Sequence, residues 1–152
     1  AILIPSLVSI FSLIFGGFLA DKLISIGYKV INVRKSVNSI GFFGSSIFLY
    51  LISLQSDLFS VVLLLCLINF CSGVCQGGFG VNHADLGPKY TGTLVGISGS
   101  IGMIAAIFSP MVAGLVLEVT NSWNLIFYIC TGILVFGGLF YLKFASASKQ
   151  FN

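Results

Sequence analysis

The chain has 152 residues, of which 57% are hydrophobic and only 7% are charged, whereas about a quarter of the residues in a typical soluble domain are charged. A water-soluble fold of this size could not bury so much apolar surface, so the composition excludes a soluble domain. The net charge of +3 reflects the placement of basic loops at a membrane and requires no nucleic-acid partner.

The charged residues divide the chain into five uncharged segments, each long enough to cross a hydrocarbon core of roughly 30 Å as a helix. Lipid offers the backbone no hydrogen-bond partner, and long apolar runs without strict alternation exclude a barrel. We therefore predict an all-α membrane protein. Its transmembrane region covers 1–144 and its cytoplasmic tail 145–152, and the five transmembrane helices lie at about 2–20, 37–54, 58–82, 91–117 and 123–142.

The basic residues predict the orientation of these helices. All of them follow predicted helix one, three or five, and they are Lys22, Lys29, Arg34, Lys35, Lys89, Lys143 and Lys149. Basic residues concentrate on the cytoplasmic side, so the carboxyl terminus is predicted to be cytoplasmic. Because Ala1 is not an initiator methionine, we expect the chain to begin inside a larger protein. The four cysteines lie inside predicted helices and are interpreted as packing residues, with no metal site.

The end of predicted helix one contains Gly17 and Asp21, which share a helical face because they are four residues apart. A carboxylate at the cytoplasmic boundary can complement the positive amino-terminal end of a neighbouring helix. The alternative is an interfacial charge beside Lys22, which the residues alone favour. Predicted helix two contains small residues and bulky aromatic residues but no candidate catalytic residue.

Predicted helix three carries polar and small residues at steps of three or four, namely Asn69, Ser72 or Gly73, Gln76, Gly80 and His83. This face could line a water-filled cavity or form hydrogen bonds between helices. The cavity is favoured because glycines open space beside the large amides. Counting about 1.5 Å per residue puts His83 at the cytoplasmic boundary, where it would be a gate residue or a simple helix cap.

The junction after His83 reads as the start of a helix, with Asp85 in the turn and Pro88 near the first helical position. Predicted helix four then carries a groove of small residues that begins with Gly92 and Gly96. Ser98 lies beside this groove, and Pro110 should kink the outer half of the helix. All four acidic residues lie at helix ends, so no charge is predicted in the membrane interior.

The run GFGVNHADLGPKYTGTLVGIS, from Gly78 to Ser98, resembles the tenth-to-eleventh helix region of an anion transporter family. That family includes sialin, the vesicular glutamate transporters and the sodium-phosphate cotransporters, and belongs to the major facilitator superfamily. GFLADK at 17–22 is similar to the loop motif of the superfamily. Val33-Arg-Lys35 resembles the start of helix nine in that family, and Phe144-Ala-Ser with Lys149-Gln150 resembles the carboxyl-terminal signature.

The resemblance implies that this chain corresponds to helices eight to twelve of a twelve-helix carrier. It implies secondary active transport of organic anions or inorganic phosphate by alternating access, driven by protons, sodium or membrane potential, with no cofactor and no enzymatic activity. The expected partners are the lipid bilayer, a small anionic solute, the coupling ion and the missing amino-terminal helices. The expected location is the plasma membrane or a lysosomal or vesicular membrane. The alternative is a non-transporting five-helix scaffold or regulatory protein.

The resemblance also assigns residues. Asn82 and His83 match the Asn-His pair of the family near the cytoplasmic side of the substrate path, and Asp21 matches the carboxylate of the loop motif. Together with the helix-face argument, the predicted substrate path is Asn69, Ser72, Gln76, Asn82, His83 and Ser98. The predicted gating residues are Gly17, Asp21, Lys22, Asp85, Pro88, Gly92, Gly96 and Pro110. Gly87 and Lys89 depart from the usual family pattern, so the resemblance does not identify the substrate.

Overall fold

The computed structural model describes residues 3–86 and 88–145, and the side chains at 4–76 and 89–145. Every element in these ranges is helical, which confirms the predicted all-α class. The elements are α1 (Leu3–Ser25), α2 (Val30–Ser39), a π-helical turn (Ile40–Gly44), α3 (Ser45–Ile52), α4 (Leu58–Leu86), a 3-10 turn (Pro88–Tyr90), α5 (Thr91–Thr120) and α6 (Trp123–Phe144).

Four helices in the described part of the chain are long and apolar enough to cross a membrane. The candidate spans are Ile4–Ser25, Leu58–Gln76, Thr91–Thr120 and Trp123–Phe144. The remaining predicted span is built from α2, the π turn and α3, which follow one another without a loop but are each short. The count of five spans therefore stays a prediction.

The helices extend beyond the apolar segments from which they were predicted. α1 continues to Ser25, and α2 begins at Val30, so that Arg34 and Lys35 lie in a helix instead of a loop. α4 continues through Asp85, and the new helix start at Pro88 is a 3-10 turn that leads into α5. A helix satisfies its own backbone groups in water as well as in lipid, so its ends need not coincide with the apolar boundary.

α1 packs closely on α4 through small residues. A Cβ added at Gly16 would stand 2.6 Å from the Cα and carbonyl oxygen of Val74, and one added at Gly73 would collide with the hydroxyl of Ser12. The buried Ser12 donates hydrogen bonds to the carbonyl oxygens of Ser9 (2.9 Å) and Asn69 (3.4 Å). Such small-residue contacts let helix backbones approach in lipid.

The π turn packs on another side of α4. A Cβ at Gly44 would stand 2.8 Å from the sulfur of Cys71, and one at Gly41 would collide with the Cβ of Cys75. Cys71 and Cys75 are free thiols in this contact. They act as the small packing residues that the sequence predicts.

α6 packs against α3, the π turn and α2. A Cβ at Gly138 would stand 3.1 Å from Phe43, so the aromatic ring lies directly over the glycine. At the end of α6, the ammonium of Lys35 donates a hydrogen bond of 2.7 Å to the carbonyl oxygen of Leu142. A cation suits this position because the last carbonyls of a helix carry partial negative charge.

α5 has almost no cover within the described part of the chain. None of its residues is buried, and Ile107 and Val119 are 73% and 82% exposed. No described atom lies within 4 Å of where a Cβ would stand at Gly92 or Gly96. The small residues predicted to form a groove on this helix are therefore not covered by the other described helices.

We predict that Gly16→Ala destabilises the protein, because the new methyl group would collide with the backbone of Val74. Overpacking of this kind costs about 1–3 kcal/mol, so the apparent midpoint of thermal unfolding in detergent should fall by several degrees. The matched control is Gly132→Ala on α6, where no described atom lies within 4 Å. It should leave the midpoint unchanged or raise it, since alanine is the better helix former. Equal midpoints for the two variants would contradict the close contact of α1 with α4.

Candidate functional site

A cavity of about 370 Å³ lies between the π turn, α4 and α6. This volume falls within the range of roughly 300–1,000 Å³ that is typical of small-molecule sites. One part of its wall is polar, and the residues there are Asn38, Ser45, Ser72, Cys75 and Gln76. The polar residues come from two helical segments, so the cavity depends on how the π turn packs against α4.

The rest of the wall is apolar or formed by backbone. Phe42 of the π turn and Leu134, Phe140 and Tyr141 of α6 contribute side chains. Gly137 lets the Phe42 ring lie against the backbone of α6, since a Cβ there would stand 2.9 Å from the ring. None of the described residues that line the cavity is charged. The cavity is therefore neutral and offers aromatic surface, amides and hydroxyls.

Hydrogen bonds connect the polar wall across the contact between the two segments. The hydroxyl groups of Ser45 and Ser72 lie 3.2 Å apart, and the Ser45 hydroxyl also donates to the carbonyl oxygen of Ile68 at 3.4 Å. The thiol of Cys75 donates to Oδ1 of Asn38 at 2.8 Å. These hydrogen bonds fix the positions of the two polar sides of the cavity relative to each other.

Asn38 has unused hydrogen-bonding capacity. Its side chain is 1% exposed, and its Nδ2 has no hydrogen-bond partner among the described residues. A buried polar group without a partner costs about 1–3 kcal/mol. This donor is buried within the wall and is not exposed to the cavity.

The π turn lies between Asn38 and Ser45, the two polar residues that this helical segment contributes to the cavity. Single π turns inside α-helices occur frequently at functional sites. Here the turn contains Gly41 and Gly44, the glycines that contact Cys75 and Cys71. The irregular turn and the cavity belong to one local arrangement.

The predicted polar face of α4 is divided between two neighbours. Ser72 and Gln76 are exposed and line the cavity. Asn69 and Gly73 instead contact α1, and the Asn69 amide donates to the carbonyl oxygen of Leu65 at 2.8 Å. Residues at steps of three or four share a broad face, and the close approach of α1 covers half of it.

The other predicted path residue with a described side chain is Ser98. It is half-buried on α5, does not line the cavity, and donates to the carbonyl oxygen of Val95 at 3.2 Å. The side chains of Asn82 and His83 lie outside those that the structure describes. Their backbone belongs to α4.

The predicted gating residues lie at helix ends and on α5. Gly17, with open space beside it, and the exposed Asp21 and Lys22 lie in the last turns of α1. Gly92 and Gly96 are exposed, and α5 continues as a helix through Pro110. The side chains of Asp85 and Pro88 lie outside those that the structure describes.

Sequence reasoning missed the contribution of predicted helix two to the cavity. Asn38 is a large amide in an apolar run, the same feature that singled out Gln76. That signal was present, whereas nothing in the residues indicated that α6 would supply Phe140 and Tyr141 to the same cavity.

Comparison with known proteins identifies one matching family and several similar proteins. The family model described as Major Facilitator Superfamily matches residues 1–150. The chain is 34% identical over 134 residues to "Ascorbate transporter, chloroplastic" of Arabidopsis thaliana, covering 88% of this chain and 25% of that protein. It is 30% identical over 151 residues to sialin of Homo sapiens, covering 97% of this chain and 30% of that protein.

A third relative is "Sodium-dependent phosphate transport protein 3" of Mus musculus. The chain is 33% identical to it over 141 residues, which cover 90% of this chain and 30% of that protein. The match thus spans about a quarter to a third of the length of these curated relatives.

We predict that Gly41→Ala and Cys75→Gly compensate for each other. Alone, Gly41→Ala should lower the free energy of unfolding by about 1–3 kcal/mol, because its Cβ would collide with Cys75. The double variant moves the side-chain volume from α4 to the π turn, so its loss should be smaller than the sum of the two single losses by about 1 kcal/mol. The measurement is thermal unfolding of all three variants in detergent.

The control pairs Gly41→Ala with Cys130→Gly, since Cys130 is exposed on α6. That pair should be additive. Additive behaviour of the Gly41→Ala and Cys75→Gly pair as well would contradict the contact between the π turn and α4.

Proposed function

This chain belongs to the major facilitator superfamily, and we propose that it forms part of a secondary active transporter for organic anions or inorganic phosphate. The proposed mechanism is alternating access, in which two halves of the carrier rock around a central site. Relatives such as the chloroplastic ascorbate transporter of Arabidopsis thaliana and sodium-dependent phosphate transport protein 3 of Mus musculus support this assignment. They are transporters, which is consistent with a chain that is not an enzyme.

The chain would supply helices eight to twelve of a twelve-helix carrier, with residues 1–144 in the membrane and 145–152 as a cytoplasmic tail. The spans would be those at about 2–20, 37–54, 58–82, 91–117 and 123–142. Support for the second span comes from the unbroken helical run between Val30 and Ile52. At about 1.5 Å per residue, that run is long enough for a hydrocarbon core of roughly 30 Å.

The observation that carries the transport proposal is the polar cavity at mid-height of α4. Ser72 is the central residue of α4 (Leu58–Leu86), and both Ser72 and Gln76 line the cavity. Substrate sites of secondary transporters lie near the bilayer midplane. A neutral polar cavity at this depth therefore fits one wall of a substrate path.

The full proposed path extends beyond this cavity, which Asn69 and Ser98 do not line. It comprises Asn69, Ser72, Gln76, Asn82, His83 and Ser98, with Asn82 and His83 toward the cytoplasmic end of α4. Because no described lining residue is charged, the groups that balance an anion would come from elsewhere in the carrier. The driving force would be a proton or sodium gradient or the membrane potential.

The remaining partners are the lipid bilayer and the preceding helices of the same carrier. The open groove at Gly92 and Gly96 on α5 supports contact with those helices, because small residues allow close packing in lipid. Asp21, Lys22, Asp85 and Pro88 would act at the cytoplasmic end, and Gly17 and Pro110 would accommodate movement. The basic residues at that end support a cytoplasmic carboxyl terminus. The proposed location is the plasma membrane or a lysosomal or vesicular membrane.

We predict that Gln76→Ala impairs uptake by the complete carrier in proteoliposomes. Loss of one hydrogen bond to the solute should lower kcat/KM about threefold to tenfold. The measurement is uptake of radiolabelled ascorbate and radiolabelled phosphate. The matched control is Gln55→Ala, an exposed amide between α3 and α4, which should leave uptake unchanged. Unchanged uptake by the Gln76 variant at normal expression would contradict its place in the path.

We predict that Asp21→Asn lowers the maximal rate of uptake about twofold to fivefold with little change in KM. The exposed carboxylate would interact with a helix end of the other half in one state only, and such interactions contribute about 0.3–1 kcal/mol. Glu118→Gln, an exposed acidic residue near the opposite end of the bundle, should show the rate of the unaltered carrier. An altered KM at an unaltered maximal rate would argue against a gating role.

A further inference from the structure

We propose that the ends of α2 and α6 that carry Lys35 and Lys143 bind the headgroup of an anionic phospholipid in the adjoining membrane leaflet. The inference goes beyond the proposed transport function and relies only on the proposed cytoplasmic placement of this end, since the cytoplasmic leaflet is the one that carries anionic lipids. In this arrangement the lipid phosphate accepts hydrogen bonds from both ammonium groups and so joins the two helices.

The position of the Lys35 ammonium is the first argument. The side chain is half-buried, and its ammonium donates a hydrogen bond of 2.7 Å to the carbonyl oxygen of Leu142. An ammonium has three N–H donors, so two are left after this bond. Because the ammonium is already held in place, a headgroup would lose less conformational entropy in binding it than in binding a freely moving lysine.

Lys143 brings a second positive charge to the same helix end. It directly follows Leu142, its side chain is exposed, and its ammonium lies 5.5 Å from the centroid of the Phe144 ring. The carbonyl end of a helix carries only about half a negative charge, which cannot balance two ammonium groups. Neither α2 nor α6 contains an acidic residue. An anion from outside these helices would supply the missing charge.

Direct packing keeps the two helical segments together at this end. Gly138 lies one turn before Leu142 on α6, and a Cβ there would stand 3.1 Å from the ring of Phe43. The contact at Gly138 and the hydrogen bond at Leu142 thus join the segments on consecutive turns of α6. A ligand that needs both lysines would therefore meet them in a fixed arrangement.

The depth of the two lysines favours a lipid over a soluble anion. α6 has 22 residues from Trp123 to Phe144, and at about 1.5 Å per residue it is roughly as long as the hydrocarbon core is thick. Lys143 therefore lies at the level of the lipid phosphates. Phe144 beside it is 61% exposed and offers apolar surface to the start of an acyl chain.

The proposal predicts that loss of either lysine weakens the binding of anionic lipid. The complete carrier is titrated in detergent with phosphatidylglycerol, and bound lipid is counted by native mass spectrometry. Lys35→Gln and Lys143→Gln should each raise the Kd of the tightest phosphatidylglycerol about fivefold, and the double variant about thirtyfold. The Kd of phosphatidylcholine with the same acyl chains should not change.

Two control variants accompany this titration. Lys29→Gln removes an exposed lysine from the loop before α2, so the charge changes equally and the Kd should stay within about twofold. Lys35→Arg keeps the charge and a donor, so it should also stay within about twofold. An effect of Lys29→Gln equal to that of Lys143→Gln, or no effect of Lys143→Gln, would overturn the proposal.

A second measurement separates a lipid from a free anion. Photoreactive phosphatidylglycerol should label the carrier at the end of α6, and unlabelled phosphatidylglycerol should displace it. Glycerol phosphate at the same concentration should not. Equal displacement by glycerol phosphate or by phosphatidylcholine would overturn the lipid site, as would labelling confined to other segments. Neither measurement requires transport, so a carrier that takes up no anion would refute the proposed function and leave this test intact.

Discussion

The close approach of two neighbours to α4 is the contact on which the other described elements depend. Apolar side chains gain little from one another in lipid, so helices associate where small residues let their backbones meet. Gly16 brings α1 against Val74, and Gly41 brings the π turn against Cys75. Half of the described buried side chains are polar, and the rest are small or β-branched, whereas aromatic side chains such as Phe11 are mostly exposed. This is the reverse of the distribution in a water-soluble protein.

The same contacts give α4 two different sides. On the side of α4 that faces α1, the serine and glycine residues pack against α1 and leave no room for a solute. Towards the π turn and α6, the glycines allow close packing, while Ser72, Gln76 and Asn38 line a space that the described residues do not fill. One helix therefore combines a close helix contact with a cavity wall.

Composition and charge were enough to predict an all-helical membrane protein, because the cost of unpaired backbone in lipid leaves few alternatives. The superfamily was predicted from the resemblance of motifs such as the run from Gly78 to Ser98. The polarity of Ser72 and Gln76 was likewise visible in the sequence. The division of the α4 face was not, since spacing alone cannot tell which neighbour covers Asn69. The π turn and the role of Asn38 were also missed, because an apolar run has no periodicity that would reveal an extra residue within a turn.

The π turn at Ile40–Gly44 also has a meaning for the comparison of related sequences. A π turn closes its hydrogen bonds one residue further along the chain than an α turn. A relative with one residue fewer in this stretch would therefore continue as a regular helix, and each α-helical residue turns the chain by about 100°. A single-residue gap there would therefore distinguish homologues that share this cavity from homologues in which the residues matching Asn38 and Ser45 no longer lie on the same side of the helix.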